Sequence, residues 1–139
     1  MTFNNVTYPD NLVLKYPVGA GKTHGVKDWH LEAPFRCFWT DGDGLEQNYV
    51  VEPGLVTDLA SIPWFVQGLP GHQKAGRNVR PSIVHDDMYV KRGALTVSKE
   101  WTIWARRDVD RLFYHGLRSE GQSWIVANDM YLAVRLGGR

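Results

Sequence analysis

The strongest constraint on the fold of this chain is the order of its textures. Residues 1 to about 66 hold most of the prolines, the turn dipeptides and the short alternating runs, whereas residues 75–137 carry helical spacing. Strands first and helices second predict an α+β fold rather than alternating βαβ units. The expected architecture is an N-terminal antiparallel β-hairpin or small sheet packed on a C-terminal three-helix bundle. The 139 residues fit one domain, and 43% hydrophobic residues are enough for one core. Cys37 is the one cysteine, which excludes an intrachain disulfide and a cysteine-built zinc site. Packing must therefore supply the stability, and six Trp, six Tyr and five Phe serve that need.

Within the first part, Asn11–Tyr16 and Leu31–Trp39 read as strands, the second with Phe35, Cys37 and Trp39 on one face. Asp41-Gly42-Asp43-Gly44 is a turn signal, and Gln47–Glu52 returns as the partner strand. Pro53-Gly54 breaks that strand, and Leu55-Val56-Thr57 resumes one. Residues 57–64 form a distinctive loop in which Asp58 or Ser61 can cap the turn before Pro63. Residues 68–81 read as a surface loop. Helices are predicted over 81–91, over 98–120 starting at Ser98, and over 123–136 starting at Ser123 and stopped by Gly137-Gly138. Ala105, Val109, Leu112, Phe113 and Gly116 make the apolar stripe of the second helix; Trp124, Ala127, Tyr131 and Val134 make that of the third.

Several function classes are excluded at this level. Lys plus Arg is 16 and Asp plus Glu is 15, so the net charge of +1 leaves no basic stripe for nucleic acid. No apolar run reaches the ~18 residues of a membrane span. The N-terminus lacks the basic and apolar regions of a signal peptide, so synthesis in a cytoplasm is expected. Val18-Gly19-Ala20-Gly21-Lys22-Thr23 imitates a phosphate loop, but Tyr16 stands where the first glycine is required and no helix pattern follows. His24, His30, His72 and His115 show no metal-ligand spacing.

The segment His85-Asp86-Asp87-Met88-Tyr89 does carry chemistry. His85 and Tyr89 are four apart and share a helix face. Asp86 and Asp87 offer hard oxygen ligands suited to Ca²⁺ or Mg²⁺, with Asp58 a further metal ligand. Asp110 borders the apolar face of the next helix, where a carboxylate needs a partner. If the first two helices pack antiparallel, His85 is that partner, and Asp110 fixes its tautomer for general-base work. An arginine (Arg107, Arg111 or Arg135) is the alternative. Ser61, His85 and Asp110 make a nucleophile triad on paper, without the Gly-x-Ser-x-Gly elbow. Tyr131 and Arg135, four apart on the third helix, can face the same cleft.

Four blocks, residues 56–63, Val84-His85-Asp86 with Tyr89, Asp110–Phe113 and Tyr131–Arg135, resemble the phage-associated domain-of-unknown-function family DUF thirteen-fifty-three. The likeness covers roughly residues 33–137 and leaves residues 1–30 as an added N-terminal arm, followed by a β region over 31–66 and a helical region over 75–137. It implies a viral protein. A second, local likeness is to secreted phospholipase A-two enzymes. There a histidine activates water, the next aspartate binds Ca²⁺, and an aspartate on a second helix and a tyrosine orient the histidine. Mapped here, these are His85, Asp86, Asp110 and Tyr89. The family's flanking cysteines and its calcium-loop glycine pattern are absent.

Two functions follow as expectations. The first is a bacteriophage virion component of the tail, baseplate or fibre attachment. It would reach the virion from the host cytoplasm and assemble as a multimer with other virion subunits, with Trp64, Phe65, Trp101 or Trp104 as anchors. The second is a Ca²⁺-assisted hydrolase of host envelope lipid or cell wall, with His85 as general base.

Overall fold

A computed structural model describes residues 2–15, 29–57, 76–90, 94–97, 100–103 and 106–137. The order is α+β as expected: antiparallel strands in small sheets, then three helices. Strands β1 (Asn4–Thr7), β4 (Phe35–Thr40) and β5 (Glu46–Val51) form one sheet in the order β1-β4-β5. Strands β2 (Leu14–Lys15), β3 (Trp29–Leu31) and β6 (Val56–Thr57) form a second, in the order β2-β3-β6. A hairpin of β7 (Ala94–Val97) and β8 (Glu100–Ile103) separates helix α1 (Val79–Val90) from α2 (Arg106–Ser119) and α3 (Trp124–Gly137).

The predicted hairpin is β4–β5, with Cys37 opposite Tyr49 and Thr40 opposite Glu46. Its turn forms because Asp41 Oδ1 accepts from the backbone amides of Asp43 (2.9 Å) and Leu45 (3.0 Å). Gly44 supplies the left-handed residue at φ 80°. Along β4 the alternation is strict: Phe35, Cys37 and Trp39 are buried and Arg36 is exposed. The predicted strand over 31–39 is in fact two, broken at Glu32–Pro34 ahead of β4, because the proline lacks a ladder donor. Among the described residues of the predicted 11–16 strand, Leu14–Lys15 pair in β2, and Val13 O accepts from Glu32 N at 2.9 Å just before them.

The N-terminal residues are an edge strand with a buried face. Phe3, Val6 and Tyr8 are 2, 4 and 8% exposed and join the main core. Pairing with β4 shifts register between Asn4 and Thr7, and Asn5 takes φ 52° at that irregularity. Asp10 then fastens the segment to β4, accepting from Arg36 N, Nε and Nη2 at 2.9, 2.9 and 2.7 Å.

The helices depart from the sequence reading chiefly at the second. A helix over 98–120 does not form: residues 100–103 are a strand, and α2 starts at Arg106. The β-branched Thr96, Val97, Thr102 and Ile103 favour the pleated pairing Leu95–Thr102 and Thr96–Trp101. From Val109 onward the predicted stripe holds, with Leu112, Phe113 and Gly116 buried. Helix α1 begins before Pro81, which its first turn tolerates because those amides have no intrahelical acceptor. Ser123 caps α3, its Oγ accepting from Val126 N at 3.2 Å. Trp124, predicted inside, is 62% exposed, while Met130 and Ala133 are buried at 1 and 4%. Trp64, Phe65, Trp104 and the Trp101 side chain lie outside the description.

Helix α2 packs against both α1 and α3. Along α1–α2, Pro81 lies beside Gly116 while Tyr89 lies beside Asp110, so the two run antiparallel. Along α2–α3, Arg106 meets Val134 and Tyr114 meets Tyr131, which gives the same sense. The close approach at Gly116 is required: a Cβ there would lie 2.0 Å from Tyr8 Oη and 3.3 Å from Pro81 Cβ. That hole lets the N-terminal segment lock onto α2.

Candidate functional site

The antiparallel α1–α2 packing brings His85, Tyr89 and Asp110 together. Asp110 is 0% exposed. A buried carboxylate is tolerated only with its lone pairs satisfied, and three donors do this. His85 Nε2 lies 2.7 Å from Oδ1, the Tyr89 hydroxyl donates to the same oxygen, and Arg135 Nη1 donates to Oδ2 at 3.0 Å. Arg106, one turn before Asp110 on α2, brings Nε to 3.8 Å of Oδ2. Arg106 also donates through Nη2 to the backbone oxygens of Val134 and Arg135, which ties the start of α2 to the end of α3. Of the arginines proposed for Asp110, Arg135 is the one that binds it.

Burial pushes the Asp110 carboxyl up, but the bonds from His85, Tyr89 and Arg135 outweigh it and hold the group below the usual carboxylate range. At neutral pH Asp110 is therefore an acceptor only. His85 must then donate from Nε2, and in the neutral ring the lone pair sits on Nδ1. The ring is clamped between Tyr89 and Phe113, with centroids at 4.2 and 4.8 Å. Burial pushes the Tyr89 phenol well up, and its bond to Asp110 adds to this, so Tyr89 stays protonated and acts as a donor. The arrangement fixes one imidazole tautomer and one ring orientation, as a general base requires.

A second buried contact supports α1 from the sheet. Tyr49 on β5 donates to Asp87 Oδ2 at 2.5 Å, and Asp87 is 4% exposed. A third lies at the base of α1, where Gln122 Nε2 donates to Asn78 Oδ1 at 2.6 Å and Ser82 Oγ to Asn78 O at 2.6 Å. These bonds set the height and rotation of the helix that carries His85.

Asp86 is half-buried on α1. Asp58 and Ser61 lie outside the described residues. Among the described residues, no group of three His, Cys, Asp or Glu is placed to hold a metal ion. The donor set present at Asp110, an imidazole with a phenol and two guanidiniums, does not fit a hard cation either. Burial pushes the Cys37 thiol well above its ordinary range, which removes it as a nucleophile. Sequence reasoning missed Arg106; its position four residues before Asp110 on one helix was the available signal.

Residues 29–134 match the family described as "Protein of unknown function (DUF1353)", and the chain belongs to it. No curated protein matches the chain, and no solved structure does. The matched region contains α1, α2 and α3 as far as Val134, and with them His85, Tyr89, Arg106 and Asp110; Arg135 lies one residue beyond it. Among the described residues, no helix is long and apolar enough to cross a membrane.

Proposed function

We propose that this protein is a bacteriophage virion-associated protein, a tail, baseplate or fibre-attachment component that works by docking on neighbouring virion subunits. The phage context rests on the four sequence blocks. The outer face of α3 carries the docking half of the reading. Trp124, Ile125, Leu132 and Leu136 are 62, 56, 48 and 86% exposed. At ~100° per residue they fall on one side of the helix. Large apolar side chains grouped on one face are what an assembly subunit buries against its neighbour. On this reading the Asp110 cluster holds the three helices in register, so that the α3 face is rigid. The test is mass spectrometry of purified phage particles carrying wild-type or Leu132→Asp protein. Wild type should be found in particles, and the variant, though folded, should be left in the lysate. Wild-type protein that stays out of particles overturns the proposal.

The cluster supports a second reading, a hydrolase acting on an ester or amide of the host envelope. His85 would act as general base toward an attacking water, Asp110 would stabilise the imidazolium that forms, and that imidazolium would return the proton to the departing alcohol or amine. The calcium of the sequence expectation has no described ligand set, and no step runs through it. Wild-type protein should cleave envelope lipid or peptidoglycan and His85→Ala should not, at unchanged fold. A wild type inert on both substrates removes this reading.

A further inference from the structure

Among the described residues the charge around Asp110 does not balance, and the excess lies at the exposed end of the cluster. One carboxylate oxygen, Oδ2, faces two guanidiniums, Arg135 at 3.0 Å and Arg106 at 3.8 Å. Both ions are permanently charged. Asp110 neutralises one of them and is itself fully buried, whereas the Arg106 and Arg135 side chains remain 40 and 32% exposed. Arg135 spends one N–H on Asp110, out of the five its guanidinium carries. Its other donors have no acceptor among the described residues. Tyr89 and Tyr131, both half-buried, flank the pair. Two guanidiniums, Arg135 held by the buried carboxylate and Arg106 by the α3 carbonyls and Tyr89, with one positive charge unmatched among the described residues, are preorganised for an oxyanion. Ordering two free arginines is the usual cost of such a site, and here Asp110 and the α3 carbonyls have already ordered them.

We infer that Arg106 and Arg135 form a binding site for a phosphate or carboxylate group at the open end of the Asp110 cluster. The ligand's oxygens would take the spare guanidinium donors at ~2.8 Å, the length of a charge-assisted bond. The class is a small oxyanion, free or carried on a larger molecule. The inference concerns binding alone and holds whether or not His85 turns a substrate over.

The test is an NMR titration of the full chain, following the Nε–Hε signals of Arg106 and Arg135. Sodium phosphate, sodium acetate and sodium chloride are added at matched pH and ionic strength. Phosphate or acetate should give a saturating shift of both signals that chloride does not give. Tighter phosphate points to a phosphoester ligand and tighter acetate to a carboxylate ligand. Arg106→Gln, which leaves the Arg135–Asp110 bond in place, should weaken binding about tenfold or more. Arg106→Lys keeps the charge and loses the planar fork, so it should weaken binding severalfold. Lys15→Gln, in the β2-β3-β6 sheet, should leave binding unchanged. Equal responses to all three salts, or wild-type affinity in both Arg106 variants, overturns the inference.

Discussion

Replacing Asp110 by asparagine tests the cluster with almost no change of shape. The carboxylate accepts from His85 at 2.7 Å and from Tyr89 on Oδ1, and from Arg135 at 3.0 Å on Oδ2. Asparagine offers one acceptor and one donor in the same volume. If its NH₂ faces Arg135, donor meets donor against a charge that cannot be removed. If it faces His85 and Tyr89, both partners can adapt: the phenol can turn to accept, and the ring can move its proton to Nδ1. The second orientation should win. The protein then loses a buried ion pair and its charge-assisted bonds but strands no charge completely. We expect a loss of roughly 2–4 kcal/mol, below the 3–5 kcal/mol typical of removing one partner outright. That corresponds to a melting temperature lower by roughly 5–15 °C. Urea unfolding with a check on the m-value measures the loss, and ¹⁵N chemical shifts of the His85 ring report the tautomer. A loss under about 1 kcal/mol with the Nε2–H tautomer retained would refute the reasoning.

Three further outcomes follow from the packing. Deleting residues 1–10 removes Phe3, Val6 and Tyr8, each worth roughly 1.5–3 kcal/mol of burial. That sum approaches the whole stability of a typical domain, so the deletion should abolish cooperative melting by circular dichroism. Gly116→Ala places a Cβ 2.0 Å from Tyr8 Oη; overpacking of roughly 1–3 kcal/mol should exceed the ~1 kcal/mol helix-propensity gain, and Tyr8→Phe in the same chain should recover part of the loss. Acid should act in two stages. Burial, aided by Arg111, holds the His115 pKa below its ordinary value, so stability present above about pH 6.5 declines as pH falls through the folded value. Asp110 is likewise depressed, and its share is lost below about pH 4. His115→Gln should remove the upper stage in pH-dependent urea unfolding and leave the lower one.

The elements legible in the sequence are those whose signals are local. The β4–β5 hairpin announces itself through Asp41–Gly44, and α3 through Ser123. Strand β1 was hidden because Phe3, Val6 and Tyr8 do not alternate; the irregularity at Asn5 restores their common face, and no spacing rule reveals it. The β7–β8 hairpin was hidden for the opposite reason: Ser98 and Trp101 happen to continue the phase of the genuine α2 stripe backward. His85 and Tyr89 were legible as an i, i+4 pair, and Asp110 as a carboxylate on an apolar border. Which arginine meets Asp110 was not legible. Arg107, Arg111 and Arg135 were equivalent by type, and only the antiparallel return of α3 selects Arg135. Arg106 was passed over because the expected helix began well before it.

A buried, ionised Asp110 holds His85 in one tautomer, and the His85 ring itself reports this. Two-bond ¹H–¹⁵N correlations on wild-type protein, at a pH where the ring is neutral, distinguish the two nitrogens. A protonated Nε2 and a lone pair on Nδ1 are expected, with the Nε2–H signal slow to exchange with water. A proton on Nδ1, or rapid averaging of the two tautomers, would contradict it.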